Sequence, residues 1–253
     1  MNYIGLYTFV RREIGRMFRV PGQTILAPII SAALYIFIFG YVIGSSITEI
    51  GGVPYITFVF PGILMLNIIA ASFAHSSSSV YFARFIKSIE EILVSPLSYL
   101  EIIIGYTAGG IARALIVAFG ILAVGMLFGA VTLVSLPWFI FYVISVATIF
   151  SLLGILVGLW AKGFEQLGSL NIFVITPLSY LGGIFYSITM LPESIRFITI
   201  LNPFFYFVDG IRSSMVGISE ANSTVGFIMI AVLIVTLTIL ITHLFRTGWR
   251  IRN

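Results

Sequence analysis

The chain has 253 residues, of which 60% are hydrophobic and only 9% are charged. This composition excludes a protein that folds in water and indicates an all-α integral membrane protein with one membrane domain, residues 1–253. The net charge of +4 is explained by basic residues beside the predicted spans, so nucleic acid is not an expected partner, and the absence of cysteine excludes disulfides and thiolate metal sites.

The N-terminal segment, residues 1–20, predicts an amphipathic helix that lies at the membrane interface. Apolar residues recur every three or four positions on one face, and arginines gather on another: the former are Tyr3, Tyr7, Val10, Ile14 and Met17, and the latter are Arg12, Arg16 and Arg19. Such a helix suits a layer of anionic lipid headgroups. The arginines could instead serve only to fix the topology, a role that is compatible with the first.

Six apolar segments follow, each long enough at about 1.5 Å per residue to cross a hydrocarbon core of about 30 Å. We place them at residues 24–47, 55–81, 102–128, 136–160, 167–188 and 225–245. With the N-terminus inside, ten of the 13 basic residues fall in cytoplasmic segments, and only Arg196 and Arg212 fall in outer segments. The positive-inside rule therefore predicts that both termini are cytoplasmic.

The densest cluster of charge in the apolar middle of the chain is the segment Arg84–Glu101. Within it, Ser88 and Glu91 have the spacing of a capping box, so we expect a short helix that begins at Ile89. Pro96 disfavours helical angles in the preceding residue and lacks an N–H donor, which limits this helix to about two turns. The pattern predicts a small helix at the cytoplasmic membrane surface.

A second capping box, Ser98 with Glu101, predicts the start of the next span. The short helix before it has apolar residues at helical spacing and charges that face the cytoplasm: these are Ile89, Ile92 and Leu93, and Lys87, Glu90 and Glu91. Two interpretations remain open. The helix either docks on a cytoplasmic partner or is a solvated connector between spans.

Arg113 is the one charged residue deep within a predicted span, where insertion costs about 2.5–3.5 kcal/mol, so we expect it to face the interior of the bundle. It could contact an anionic group of a substrate, or it could bind backbone carbonyls or a polar residue such as Asn67 or Asn171. His75 is expected to be a hydrogen-bonded packing residue rather than a metal ligand, because the other histidine, His243, lies at the far end of the chain.

Glycines spaced four residues apart predict close contacts between helices in lipid. The pairs are Gly40 with Gly44, Gly105 with Gly109, Gly125 with Gly129, and Gly154 with Gly158. The pattern indicates that helices pack, within one chain or between two, and it does not indicate what the bundle does.

The outer segment after the fifth span, residues 189–224, is long and apolar. Pro192 and Pro203 each stand where a helix can begin. We therefore expect two short helices that re-enter the outer leaflet and cover the outer mouth of a pathway. The alternative is a simple interfacial belt of aromatic residues, since this segment contains Phe204, Phe205, Tyr206 and Phe207. Two oppositely charged pairs lie at helical spacing, Glu193 with Arg196 and Asp209 with Arg212.

Patterns typical of catalysis are missing from the sequence. The phosphate-binding loop that ends in Gly-Lys-Ser/Thr is absent, because Lys87 and Lys162 are the only lysines and neither follows a glycine. We expect no ATP hydrolysis by this chain and predict no catalytic or metal-ligating residue. An intramembrane enzyme that uses scattered polar residues is the remaining alternative.

Five motifs together resemble the permease subunit of a type-2 ABC exporter over nearly the whole chain. They are Phe60-Pro-Gly-Ile-Leu, Ser88-Ile-Glu-Glu-Ile-Leu-Val-Ser-Pro, Thr176-Pro-Leu-Ser-Tyr-Leu-Gly-Gly-Ile-Phe-Tyr-Ser, Leu191-Pro and Leu201-Asn-Pro. Each motif is loose, but their order and spacing are specific. The chain is most similar to small six-span bacterial permeases that include drug, nodulation-factor and polysaccharide exporters.

The resemblance implies a subfamily G-like fold, a permease homodimer in the plasma (inner) membrane, and two copies of a separate cytoplasmic ABC ATPase that hold the ATP and magnesium. No cofactor is expected in this chain, and membrane lipids are expected neighbours. The N-terminal segment corresponds to the connecting helix, and the re-entrant pair falls within residues 192–217. The coupling helix spans residues 89–94, which gives Ile89, Glu90, Glu91, Ile92 and Leu93 as ATPase-coupling residues.

The function we expect is ATP-driven export of a drug, lipid or (poly)saccharide by alternating access around a central cavity. Arg113 is a candidate for the substrate path, and the aromatic run at residues 204–207 is a candidate outer gate. The alternative from another class is a non-transporting membrane scaffold or regulator. The sequence does not separate a continuous polysaccharide channel from lateral entry of a lipid or drug.

Overall fold

The computed structural model describes residues 2–250, and this part of the chain is almost entirely helical. Its α-helices are α1 (Tyr3–Met17), α2 (Ala27–Phe37), α3 (Tyr55–Phe85), α4 (Ser88–Val94), α5 (Tyr99–Leu127), α6 (Leu136–Trp160), α7 (Phe164–Leu170), α8 (Thr176–Leu181), α9 (Glu193–Leu201), α10 (Pro203–Val216) and α11 (Ser223–Thr247). Three π-helical segments are Gly22–Leu26, Ile38–Ile43 and Asn171–Ile175, and a 3-10 helix is Ile188–Met190. The strands β1 (Glu49–Ile50) and β2 (Val53–Pro54) pair in an antiparallel hairpin.

Five helical segments within residues 2–250 are long and apolar enough to cross a membrane, and they agree with five of the six predicted spans. They are Gly22–Ile43, Tyr55–Phe85, Tyr99–Leu127, Leu136–Trp160 and Ser223–Thr247. The span predicted at residues 167–188 ends earlier than expected. The chain is helical from Phe164 to Leu181, about 27 Å at 1.5 Å per residue, and then turns at Gly183, whose φ is +79°.

The central helix is α3, which packs against α5, α6 and α10. Its contact with α6 is close, because a Cβ at Gly154 would lie 2.6 Å from the carbonyl oxygen of Phe73, and one at Gly158 would lie 2.7 Å from that of Ser77. This confirms the predicted role of Gly154 and Gly158. The predicted pair of Gly125 with Gly129 is wrong, because α5 ends at Leu127 and Gly129 follows it in a turn with a φ of +66°.

One arginine joins the ends of three helices. Arg84, in the last turn of α3, donates hydrogen bonds from Nη1 to the carbonyl oxygens of Gly158 and Ala161, at 2.9 and 3.0 Å. Its Nε donates to the carbonyl oxygen of Arg250, just beyond α11, at 2.9 Å. The C-terminal ends of α3, α6 and α11 therefore lie together, and we name this end of the bundle the basic end.

The helices α1 and α5 both start at the basic end. The predicted capping box at Ser98 and Glu101 is confirmed: the N–H of Glu101 donates to Ser98 Oγ at 3.3 Å, and Glu101 Oε2 accepts from the N–H of Ser98 at 2.7 Å. Glu101 Oε1 also accepts from the N–H of Asn2 at 2.6 Å. The basic residues that we predicted to be cytoplasmic gather here: Arg11, Arg12, Arg16, Arg19, Arg84, Lys87, Lys162, Arg246 and Arg250. The tenth, Arg252, lies outside the described residues.

The helices α9 and α10 form a hairpin that enters the bundle from the opposite end. The N–H of Ser135, before α6, donates to the carbonyl oxygen of Ser214 near the end of α10 at 2.9 Å. The rings of Phe204, at the start of α10, and Phe150, midway along α6, have centroids 5.3 Å apart. The turn at Asn202 therefore lies beside the middle of α6, as expected for a re-entrant pair.

Candidate functional site

The short helix α4 follows α3 through a sharp turn at the basic end. Lys87 between them has a φ of +59°, an uncommon conformation for a residue with a Cβ. The capping box predicted at Ser88 and Glu91 is wrong, because Ser88 Oγ donates back to the carbonyl oxygen of Ala83 at 3.4 Å and no side chain caps the first turn of α4. The left-handed turn therefore sets the direction of this helix.

The two faces of α4 have different environments. Ile89 and Ile92 are 1% and 6% exposed and belong to the chain's own hydrophobic core, and Leu93 is partly buried against it. Both side chains therefore make contacts within this chain, and their assignment as ATPase-coupling residues stays a prediction. The exposed face carries Val94, which is 87% exposed, beside the exposed carboxylates of Glu90 and Glu91.

A shallow depression of about 490 Å³ lies on this exposed face of α4. Its lining residues are Glu90, Glu91, Val94 and Ser95. An acidic pair beside one fully exposed apolar side chain is a surface that can contact a basic groove with an apolar floor. The sequence indicated the acidic pair but did not single out Val94, because Ile92 and Val94 are equally apolar.

The N-terminal helix α1 packs against α5 on one face and leaves much of the predicted apolar face exposed. Its buried residues are Phe9, Glu13 and Met17, whereas Tyr3 and Tyr7 are 72% and 67% exposed. A Cβ at Gly105 of α5 would clash with the Phe9 ring, which explains why that glycine is needed. The buried positions are spaced four residues apart, which is a signal in the sequence. The pattern is not apolar throughout, because its central residue is Glu13.

Glu13 forms a buried polar network between α1 and α3. Its carboxylate accepts a hydrogen bond from Ser79 Oγ, lies 3.7 Å from His75 Nε2, and is 3.1 Å from Arg12 Nη2. Burial raises the pKa of Glu13, but His75, Ser79 and the charge of Arg12 together outweigh burial and lower the pKa below its ordinary value. Glu13 is therefore a carboxylate at neutral pH. Sequence reasoning missed it.

A cavity of about 590 Å³ adjoins this network at the basic end, between α1, α3 and α5. Arg113 lines it, together with Arg12 and Arg16 of α1 and Arg19 just after α1. Arg113 Nε donates to the carbonyl oxygen of Thr24 at 3.3 Å. Arg113 thus faces the protein interior, as predicted. It binds a backbone carbonyl and not Asn67, whose amide donates to the carbonyl oxygen of Ile63.

The described residues offer no metal site. Within residues 2–250 no group of three or more histidine, aspartate or glutamate side chains could hold an ion. His75 is 4% exposed and packs beside Gly109 of α5, where a Cβ would lie 2.6 Å from its Nε2. His75 therefore packs inside the bundle as expected, but its Nε2 makes no hydrogen bond to the described residues, so the predicted hydrogen bonding is wrong for this atom.

The aromatic run at the start of α10 is buried within the chain. The four side chains are between 1% and 8% exposed, and they are Phe204, Phe205, Tyr206 and Phe207. They pack in two groups, one against Phe150 of α6 and one against the segment around Ile188. A gating role would therefore require α10 to move as a unit, and that role stays a prediction.

The two ion pairs predicted in the outer segment are wrong. Arg196 donates to the carbonyl oxygens of Thr189 and Leu191, both at 3.4 Å. The Asp209 carboxylate instead accepts hydrogen bonds in the loop after α10, from Ser219 Oγ at 2.9 Å and from the N–H of Glu220 at 2.7 Å. These short-range bonds fix the loop between α10 and α11.

Within residues 2–250, Arg212 has no carboxylate within 4 Å, and its side chain is 0% exposed. Its Nε donates to the carbonyl oxygen of Phe58 at 3.3 Å, and its Nη2 donates to that of Gly183. Its guanidinium carbon lies 3.9 Å from the centroid of the Phe58 ring. Arg212 therefore attaches α10 to the central helix by carbonyl and cation–π contacts, a role that helical charge spacing does not indicate.

An apolar helical bundle with a surface helix, a short helix that is exposed on one face and a re-entrant hairpin defines a multi-pass membrane protein. The chain belongs to the ABC-2 type transporter family, whose model matches residues 5–216. It is 36% identical over 253 residues to the inner membrane transport permease YadH of Escherichia coli (strain K12), covering 100% of this chain and 99% of YadH.

More distant relatives carry the name nodulation protein J. The protein of Rhizobium meliloti (strain 1021) is 26% identical over 220 residues, which cover 85% of this chain and 82% of the relative. The protein of Rhizobium leguminosarum bv. viciae is 24% identical over 224 residues, which cover 88% and 86%. The similarity thus extends over most of each chain.

Proposed function

We propose that this chain is the membrane-spanning permease subunit of an ATP-driven exporter. Permeases of the ABC-2 type generally work with an ATPase subunit, and the sequence lacks the phosphate-binding loop that ATP hydrolysis would need. The observation that carries the proposal is α4, a short helix fixed to the bundle on one face and exposed on the other. Such a helix can receive a push from a docked protein and pass it to the bundle.

The path from α4 to the spans is short. Ile89 and Ile92 anchor α4 in the core, and the turn at Lys87 connects it to α3 without a flexible linker. Closure of an ATPase dimer against Glu90, Glu91 and Val94 would displace α4 and α3 together. The mechanism is alternating access, in which two states of the permease open to opposite sides of the membrane.

The assembly that we propose contains two permease chains and two ATPase subunits in the inner membrane. The basic end faces the cytoplasm, because the basic residues gather there and the positive-inside rule favours that orientation. Both termini are then cytoplasmic, and ATP and magnesium bind only to the ATPase subunits. The coupling residues of the permease are those of α4, with Glu90 and Glu91 in contact with the partner and Ile89, Ile92 and Leu93 as its anchors.

The substrate class is a drug, a lipid or a saccharide-type molecule. Arg113 faces a cavity between α1, α3 and α5, which supports a place for it on the substrate path. The aromatic run at residues 204–207 lies on the re-entrant helix α10, which supports its role as part of an outer gate. Lateral entry from the bilayer and a continuous channel are both compatible with this arrangement.

The test is co-expression with the cognate ATPase. Purified alone, the chain should bind no ATP, and the co-expressed proteins should form a complex with two copies of each and an ATPase activity that responds to substrate. The double variant Glu90→Lys/Glu91→Lys should reach the membrane normally but lose the ATPase. The control Glu193→Lys changes an exposed glutamate at the opposite end of the bundle, and this variant should still bind the ATPase. An intact complex whose ATPase activity ignores every substrate would favour a scaffold or regulator.

A further inference from the structure

The cavity at the basic end has an unusual lining for an apolar bundle. It has a volume of about 590 Å³, within the range of sites for small molecules. Four arginines line it: Arg12 and Arg16 of α1, Arg19 just after α1, and Arg113 of α5. The remaining titratable groups in the lining are Glu13 and His75. Positive charge therefore exceeds negative charge in the cavity.

The single carboxylate in the lining is already engaged. Glu13 binds Ser79 and Arg12 and lies beside His75. Among residues 2–250, no carboxylate lies within 4 Å of Arg16, Arg19 or Arg113. Burial lowers the pKa of Arg16, and the charges of Arg12 and Arg19 lower it further against the opposing effect of Glu13. The cluster thus contains four guanidinium groups and one carboxylate, and that carboxylate is paired with Arg12.

The guanidinium of Arg113 is available to a ligand in the cavity. It uses Nε for the hydrogen bond to the Thr24 carbonyl oxygen, and neither of its terminal nitrogens makes a hydrogen bond to the described residues. A guanidinium can donate two parallel hydrogen bonds to two oxygens of one phosphate. A single carbonyl oxygen does not offer this pair of acceptors. Arg16 is placed over the ring of Phe82 at 5.5 Å, which orients it towards the same space.

The rim of the cavity is apolar and exposed. Val20, Phe82 and Ile86 line it and are 52%, 43% and 52% exposed. In a membrane protein such side chains at the end of the bundle face acyl chains at the level of the headgroups. A ligand with a phosphate inside the cavity could therefore place its hydrocarbon part against this rim.

We propose that the cavity is a binding site for the phosphate of an anionic phospholipid, with Arg16 and Arg113 as the main phosphate ligands and the apolar rim beside the acyl chains. A free phosphate shares the anionic chemistry but makes no use of the rim. The proposal concerns binding to the permease alone, so it does not depend on the exporter function or on an ATPase partner.

The experiment uses the full-length chain in a neutral detergent and measures bound ligand by native mass spectrometry. The probes are phosphatidylglycerol, diacylglycerol, which has the acyl chains without the phosphate, and inorganic phosphate. We expect wild type to retain phosphatidylglycerol and to bind diacylglycerol and phosphate much more weakly. The double variant Arg16→Gln/Arg113→Gln should bind phosphatidylglycerol at least about tenfold more weakly, since the loss of even one charged hydrogen bond reduces affinity by roughly that factor.

Two controls keep the test decisive. Arg11→Gln removes one exposed arginine of α1 that does not line the cavity, and it should bind phosphatidylglycerol within about twofold of wild type. If the double variant does not fold, the comparison of the three probes on wild type still decides. Equal retention of diacylglycerol and phosphatidylglycerol would overturn the proposal, and so would saturation by inorganic phosphate without any gain from the lipid.

Discussion

Ser79 of α3 donates a hydrogen bond to the carboxylate of Glu13 of α1, so a buried polar contact joins the surface helix to the central helix. Replacement of Glu13 by Ala would leave the Ser79 hydroxyl and His75 without their partner. We expect a loss of about 1–3 kcal/mol in the attachment of α1. Hydrogen exchange of α1 in detergent should rise in this variant and not in Arg11→Ala, whose side chain is exposed. Unchanged exchange in both would show that apolar contacts alone hold α1.

The attachment of α1 should also depend on pH. The folded-state pKa of Glu13 is lowered, so the stabilisation is complete above the ordinary value of 4.5 and decreases as the pH falls through the lowered value. Hydrogen exchange of α1 should therefore rise in mildly acidic detergent, below about pH 4.5. Glu13→Gln should remove this dependence. An identical pH profile in Glu13→Gln would contradict the assignment.

The contact between α3 and α6 should not tolerate a single added methyl group. In Gly154→Ala the new Cβ would lie 2.6 Å from the carbonyl oxygen of Phe73, so two helix backbones must separate. We expect a loss of about 1–3 kcal/mol, seen as a lower thermal midpoint and a lower yield in detergent. The control is Gly168→Ala in α7, where a Cβ would meet nothing within 4 Å. Equal midpoints for both variants would mean that the helices adjust freely.

The same substitution should affect stability at Ile92 and ATPase binding at Val94. Ile92→Asp buries a carboxylate in the core, so we expect a destabilised chain with poor expression. Val94→Asp changes a side chain that is 87% exposed, so the chain should fold normally but bind its ATPase more weakly. Fluorescence size-exclusion chromatography measures the first effect, and co-purification measures the second. Full ATPase binding by Val94→Asp would remove Val94 from the coupling surface.

Arg212 should require its guanidinium and not only its charge. Lysine cannot reach the carbonyl oxygens of both Phe58 and Gly183 with one planar group, so at least one buried hydrogen bond is lost in Arg212→Lys. We expect about 1–3 kcal/mol less stability and faster proteolysis at the loop after α10. Arg196→Lys, on the more exposed helix α9, is the matched control. If Arg212→Lys keeps the thermal midpoint of the wild type, the positive charge alone is sufficient for stability.

The sequence was sufficient for features that depend on composition and local chemistry. Five spans, the Ser98 capping box, the Gly154 and Gly158 contact and the re-entrant hairpin all followed from hydropathy, caps and small residues. The failures were of another kind. In a chain with 60% hydrophobic residues, apolar periodicity does not distinguish a face that meets protein from one that meets lipid.

That ambiguity explains the errors in the candidate site. On α4 the apolar pattern does not show that Ile92 packs in the chain's own core while Val94 is exposed, and on α1 it does not single out the buried face that contains Glu13. The ion pair expected for Arg212 failed because buried carbonyl oxygens compete for a guanidinium, and their positions depend on the tertiary fold. Spacing along one helix contains no information about acceptors on another.

The hydrogen bonds of Arg84 affect how the bundle can move. Its guanidinium binds carbonyl oxygens that the ends of α6 and α11 leave free, so separating any of these three helix ends would strand several acceptors at once. A force on α4 would therefore swing α3, α6 and the end of α11 as one rigid block. The helices that change shape in a transport cycle are then those interrupted by π-helical turns, residues 22–43 and 164–181. Their irregular hydrogen bonding lets a helix bend or shift register.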